Sequence, residues 1–75
     1  MDIRKLFGAN VRRIRETAGI SQAEVATRMG VDRAYISSIE RGGQNATLLS
    51  LNETALALGV KPADLLAEPS ADSEA

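Results

Sequence analysis

"GVDRAYISSIERGG", residues 30–43, carries a helix start signal, a stop signal and two isoleucines, Ile36 and Ile39, spaced for one buried stripe. Asp32 suits the N-cap, and Gly42 with Gly43 suits the end. At about 100° per residue, Ala34, Ser37, Ser38 and Arg41 cluster on the side opposite the isoleucines, with Arg33 and Tyr35 on the flanks. A helix face that only needs to be solvated favours Glu, Lys and Gln, whereas serine is a weak helix former. This outward face is instead small and hydrogen-bonding, with an arginine near each end. Short side chains allow a helix to approach the floor of the DNA major groove, where arginine pairs bidentately with guanine and a methyl such as that of Ala34 can meet a thymine methyl. Arg33, Ala34, Ser37 and Ser38 are therefore the candidate base-facing residues.

Immediately upstream, Ser21-Gln22-Ala23-Glu24 matches a capping box, with the Ser21 hydroxyl taking the Glu24 N–H and the Glu24 carboxylate reaching back. The helix it opens runs to about Met29, with Val25, Ala26 and Met29 inward, and Gly30 stops it. Two short helices joined by a tight turn containing glycine form the outline of a helix-turn-helix. Before them, Ile3, Leu6, Phe7, Val11, Ile14 and Ala18 follow the spacing of an amphipathic helix ending at Gly19, with Arg4, Lys5, Arg12 and Arg13 on its other faces. After them, Thr47 can cap a fourth helix from Leu48 to about Leu58, and Pro62 suits the first position of a fifth, through Leu66 or Ala67. No segment alternates with the period of a strand. The expected fold is all-α, a compact five-helix domain over residues 1–67, followed by a small, polar, acidic tail over 68–75 that reads as disordered.

Glu40 falls on the edge of the buried side of its helix, and a carboxylate there needs a partner. Arg15, which follows the core residue Ile14, is the expected one, giving a structural ion pair between the first and third helices. Breaking such a pair, if buried, costs on the order of 3 kcal/mol. Gln22 lies in the first turn of the second helix, where free amides and the helix dipole favour a phosphate. Its side chain can bond that phosphate or reach toward the third helix. Gln44, Asn45 and Thr47, ahead of the fourth helix, are candidates for DNA backbone or flanking contacts together with Gln22, Tyr35 and Arg41, although capping alone accounts for Thr47.

Composition narrows the function classes. The 75 residues contain no cysteine and no histidine, so thiolate and imidazole metal sites, disulfides and the commonest general base are missing, and no metal or cofactor is expected. Asp2, Asp32 and Glu40 have structural readings, which leaves no catalytic constellation. Apolar runs fall far short of a membrane span and the start lacks the apolar stretch of a signal peptide, so a cytoplasmic protein with no membrane partner is expected. The net charge of −1 conceals a gradient. Residues 1–45 hold eight Arg or Lys against five Asp or Glu, whereas residues 46–75 hold one against five. An acidic total thus does not exclude a polyanion, because phosphates respond to the local basic surface.

The fourth helix carries two apolar stripes. Leu48, Leu51, Ala55 and Leu58 form one, expected to face the core. Leu49 and Leu56, seven residues apart with Asn52 and Glu53 beside them, form the other. A helix apolar on two sides must pack on two things. A second copy across a two-fold axis is one, with Leu65 or Leu66 helping; the fifth helix folding over Leu49 and Leu56 is the alternative.

At this point "SQAEVATRMGVDRAYISSIERG", residues 21–42, resembles the helix-turn-helix of the XRE, or Cro and phage-repressor, family. The likeness extends to "NVRRIRETAGI" before it and to "LLSLNETALALGV" and "PADLL" after it, covering about residues 5–67. The resemblance implies operator DNA bound by a homodimer, with the third helix, residues 33–41, as recognition helix and Gln22 touching backbone and a base edge. Two such helices about 34 Å apart read a pseudo-palindrome. Within the family, "DRAYIS" and the short length look most like the controller proteins of restriction-modification systems, in which an arginine and a tyrosine at the places of Arg33 and Tyr35 contact DNA. RNA polymerase is a further conceivable partner for such a regulator. Three positions depart from the pattern: Ala46 stands for a usual proline, Thr54 for a usual aliphatic residue, and Lys61 for a usual Ser or Thr cap. A different class of function, an antitoxin-like or adaptor module using the same helical face on a protein, would lack the steep salt dependence of DNA binding.

Overall fold

The computed structural model describes residues 1–68, which form four α-helices and one short 3₁₀ helix, with no strand among the described residues. The α-helices are α1 (Ile3–Ala18), α2 (Gln22–Met29), α3 (Arg33–Glu40) and α4 (Leu48–Leu58), and the 3₁₀ helix is Pro62–Leu66. The expected fifth helix is thus corrected to a single 3₁₀ segment. Five residues between Lys61 and Ala67, both extended, are too few to settle into regular α-helix. The recognition helix expected over 33–41 ends at Glu40, with Arg41 as its C-cap and Gly42 turning the chain at φ +81°. The acidic tail lies, apart from Glu68, outside the described residues.

The helix starts follow the capping logic with local changes of partner. Ser21 Oγ accepts from the Glu24 N–H at 3.0 Å, but the Glu24 carboxylate turns to Arg28 Nε at 2.9 Å instead of closing the box. An exposed guanidinium one turn away competes successfully with a backbone amide that water can also satisfy. Asp32 occupies the N-cap of α3 without a side-chain capping bond. The reciprocal box occurs at α4, where Thr47 Oγ1 accepts from the Ser50 N–H and Ser50 Oγ accepts from the Thr47 N–H, at 3.0 and 2.9 Å. At the turn between α2 and α3, Gly30 takes φ +71°, and the Val31 N–H donates back to the Ala26 carbonyl at 3.0 Å. That left-handed residue is what lets α3 leave at an angle to α2.

Phe7, Val11, Val25, Ala26, Ile36, Ile39, Leu51, Ala55, Leu58 and Leu65 make one core to which every helix contributes. α3 packs on α1 and α2, while the 3₁₀ segment inserts Leu65 between α1 and α4. Two buried polar side chains are satisfied by backbone carbonyls. Thr54, at the aliphatic position, donates its hydroxyl to the Ser50 carbonyl at 2.7 Å. Asn10 Nδ2 donates to the Leu65 and Ala67 carbonyls at 3.0 and 2.9 Å, stapling the 3₁₀ segment to α1. Arg28 Nη1 reaches the Ala57 carbonyl at 2.9 Å and joins α2 to the end of α4.

Leu48, expected in the core stripe of α4, is 86% exposed. Helical period assigns a direction but not a depth along the axis; Leu48 is the first residue of α4, outside the layer closed by Phe7 and Leu51. Ile3 and Ala18 overhang the core at the two ends of α1 for the same reason. The alternative in which the last helix covers Leu49 and Leu56 is also not what forms, since that segment buries Leu65 and leaves both leucines exposed.

α1 and α3 approach closely at Gly8, a buried mid-helix glycine. A Cβ there would overlap the Ile39 carbonyl oxygen and stand 3.0 Å from that of Glu40. In an open helix, Gly→Ala gains about 1 kcal/mol. At this crossing the clash, about 1–3 kcal/mol, opposes that gain, and Gly8→Ala is expected to lower the urea midpoint. A raised midpoint would show that the crossing has slack.

Candidate nucleic-acid interface

α3 is set by its own sequence: Ile36 and Ile39 are buried to within 1% of completely, so the opposite side must face out. Arg33, Ala34 and Arg41 are exposed, and Ser37 and Ser38 are half-buried. Arg41 Nη1 donates to Ser37 Oγ at 2.6 Å, bending the arginine back along its own helix. Ser38 Oγ accepts from Gln44 Nε2 at 3.1 Å, which directs that serine to the loop after α3 as much as to solvent. Tyr35 is half-buried and packs its ring against the core. In the loop, Gln44 is thus tied to α3, Asn45 is exposed, and Thr47 spends its hydroxyl and its N–H on the cap of α4.

Behind this face lies a charged network. Arg15 Nε and Nη2 donate to Glu40 Oε2 and Oε1 at 2.6 and 3.0 Å, a two-pronged pair linking α1 to the last residue of α3. Arg15 Nη1 donates to the Ile20 carbonyl at 2.9 Å, and Gln22 Nε2 adds a donor to Glu40 Oε1 at 3.0 Å. The side chains of Arg15 and Glu40 retain 12% and 5% of their exposure. Burial alone would raise the Glu40 pKa, but the hydrogen bonds from Arg15 and Gln22 outweigh it and hold the carboxyl below its ordinary value. The bond to Glu40 raises the Arg15 pKa despite desolvation, so both groups are charged at neutral pH. Gln22 Oε1 meanwhile accepts from Arg33 Nη1 at 3.1 Å, so the glutamine spans the buried pair and the exposed arginine.

On α4, Leu49 and Leu56 are 67% and 72% exposed, with Asn52 and Glu53 exposed beside them; Leu66 is 38% exposed. The structure therefore places Leu49, Asn52, Glu53 and Leu56 on one open helix face. Two positions escaped the sequence reading. Gly8 and Asn10 are core elements of α1, and a glycine and an asparagine interrupting an amphipathic pattern were the available signal. Lys5 was only counted among the basic residues; its stem lies against Gly42, so that a Cβ on that glycine would be 2.8 Å from Lys5 Cγ, beside the C-terminal end of α3. Among the described residues no group of acidic, Cys or His side chains is arranged to hold a metal ion, and no helix is long and apolar enough to cross a membrane.

Two short helices joined through a left-handed glycine, the second presenting an open arginine-flanked face, define a helix-turn-helix domain of the DNA-binding class. Comparison with known proteins agrees: a family model described as Helix-turn-helix matches residues 11–65. The chain is 47% identical over 66 residues to the uncharacterized HTH-type transcriptional regulator y4dJ of Sinorhizobium fredii, covering 88% of this chain and 86% of that one. It is 46% identical over 66 residues to the control protein C.BamHI of Bacillus amyloliquefaciens, covering 87% and 82% respectively. The restriction-modification controller protein C.Esp1396I, solved as a tetramer in complex with its natural 35 base-pair operator, superposes with a TM-score of 0.78 at 29% identity, over 87% of this chain and 86% of that one. The chain belongs to the helix-turn-helix family of transcriptional regulators.

The lowered Glu40 pKa makes a pH prediction with a definite sign. The unfolded chain binds this proton more readily than the folded one, so the stabilisation is complete above the ordinary carboxylate value of about 4.3 and is lost as pH falls through the lower folded value. Glu40→Gln leaves Arg15 buried without its counter-charge, costing on the order of 3 kcal/mol at neutral pH, and flattens the acid limb of the stability curve. Urea melts of both proteins across this range check it; parallel acid limbs would contradict it.

Proposed function

We propose that this regulator binds a pseudo-palindromic DNA operator as a homodimer, with α3 lying in the major groove. The observation that carries the reading is the outward face of α3: Arg33 and Arg41 at its two ends, with the small residues Ala34 and Ser37 between them. Arg33 is the reader of a guanine edge, Ala34 and Ser37 allow the close approach, and Ser38 lies at the edge of the contact. Gln44, Asn45 and Tyr35 flank it. The operator complex of C.Esp1396I, a protein of the same fold, supports the assignment of duplex DNA as partner.

The dimer is argued from α4. Leu49 and Leu56, one above the other with Asn52 and Glu53 at their side, are an apolar stripe that the described chain leaves uncovered; Leu66, partly exposed, lies instead on the side of Ile3 and Leu48. The reading requires a two-fold axis through this stripe that sets the two copies of α3 about one helical turn of DNA apart, about 34 Å. The role is control of transcription in the manner of a restriction-modification controller, given the similarity to C.BamHI. Contact with RNA polymerase at a neighbouring promoter belongs to the same reading, and a bacterial cytoplasm is the compartment it requires.

Two variants test the assignment. Arg33→Ala is expected to lose about 1–3 kcal/mol of base discrimination and to relax the footprint at one symmetry-related pair of positions. Leu49→Glu is expected to shift sedimentation toward monomer and to weaken operator binding in parallel. An unaltered footprint with the first, or an unaltered dimer with the second, would refute the respective role.

A further inference from the structure

We propose that Lys5, in the first turn of α1, is a DNA-backbone contact that belongs to the surface of α3, and that it holds a phosphate together with Arg41 at the C-terminal end of that helix. The proposal rests on the reading of α3 as the helix in the major groove. Gly42 follows Arg41 and turns the chain at φ +81°; a Cβ on it would stand 2.8 Å from Lys5 Cγ and 3.2 Å from Lys5 Cα. The bare side of this glycine is therefore filled by the backbone and stem of the lysine. The fold thus seats one cation of α1 beside another at the end of α3.

Charge pairing separates this lysine from its neighbours. Arg4 meets Asp2, Arg12 meets Glu16, Arg15 meets Glu40, and Arg28 in α2 meets Glu24. Lys5, Arg33 and Arg41 are exposed and make no ion pair among the described residues, and all three lie on α3 or against its end. The carbonyl end of a helix by itself attracts a cation. Here, however, the Ser37, Ser38 and Ile39 carbonyls already accept from the N–H groups of Arg41, Gly43 and Gly42, at 3.1, 2.9 and 2.9 Å. The end of α3 is closed without the lysine, whose charge is left for an outside anion. Lysine carries a compact charge with rotatable donors and lacks the planar fork that matches a guanine edge, so a phosphate is the partner it fits. Such a contact adds affinity without sequence preference.

The test uses three substitutions in the full chain. Lys5→Met keeps an apolar stem against Gly42 and removes only the charge, Lys5→Gln removes the charge with a different side chain, and Lys5→Arg keeps it. Affinity is measured against salt for two duplexes, one enriched by selection from random DNA and one of unrelated sequence. For Lys5→Met and Lys5→Gln the slope of log affinity on log salt is expected to become shallower by about 0.9 for each copy bound, about 1.8 for a dimer. The loss of affinity of the dimer between about 50 and about 200 mM salt then shrinks by about ten-fold, equally for both duplexes and with base preference unchanged. Lys5→Arg is expected to keep the wild-type slope. A wild-type slope in the neutral variants overturns the proposal, whether or not the thermal midpoint falls, because the lysine then serves at most the end of α3. A change of base preference also overturns it, since Lys5 would then be a reader of bases. Where one neutral variant does not fold, the other decides. Arg33→Ala, measured alongside, keeps the two readings apart: intact base preference there refutes α3 as the groove helix, whereas an unaltered slope in the Lys5 variants refutes the phosphate contact and leaves α3 standing.

Discussion

Two opposite charges buried at the crossing of α1 and α3 constrain the rest of the molecule. With Arg15 and Glu40 taken almost wholly out of water, the geometry must satisfy both, and it does so with two bonds between them and one further partner for each. Such a pair is a weak source of net stability, because desolvation offsets most of the attraction. Its effect is on register. Sliding or rotating α3 against α1 separates the charges, and Gly8 lets the two backbones come close enough for the pair to form. The outward face of α3 inherits its direction from that crossing.

The remaining elements hold this arrangement from behind. The left-handed turn at Gly30 sets α3 at an angle to α2, and Arg28 ties α2 to the end of α4. Asn10 fastens the 3₁₀ segment over α1 so that Leu65 can close the core. A chain of this size buries only a modest fraction of its surface, and it is correspondingly dependent on such directional bonds. Charge is unevenly distributed along the sequence: cations gather in residues 1–45, which hold α1, α2 and α3, while residues 46–75, which hold α4 and its exposed leucines, are net acidic.

Much of this was legible in the amino-acid sequence, for physical reasons that differ by residue. Ile36 and Ile39 set the phase of α3, and with the phase came the inward position of Glu40 and the need for Arg15. Caps at Ser21 and Thr47 and the left-handed glycines marked the ends of elements because those residues satisfy backbone groups that few others can. Depth along a helix was not legible, which is why Leu48 was assigned to a core it does not reach. Nor was the choice between equivalent partners: Glu24 had both an amide and Arg28 within range, and only three-dimensional packing decided for Arg28. Asn10 resisted reading because its partners are carbonyls more than fifty residues away, at Leu65 and Ala67. The last element is 3₁₀ and not α because a proline start suits both kinds of segment and the five residues here are too few for the longer one. The position of Gln22 at the start of α2 suits either a phosphate or a bond to α3; its two simultaneous bonds, to Glu40 and Arg33, depend on the fold bringing those residues together.

The proposed function requires α3, in two symmetry-related copies, to read duplex DNA. Selection of bound sequences from random DNA by the unmodified protein tests it most directly. The expected result is enrichment of an inverted repeat whose half-sites are centred about one helical turn apart, roughly 10–10.5 base pairs, each containing a guanine at the place served by Arg33. Enrichment of no sequence, or of a single half-site without its symmetry mate, would contradict it.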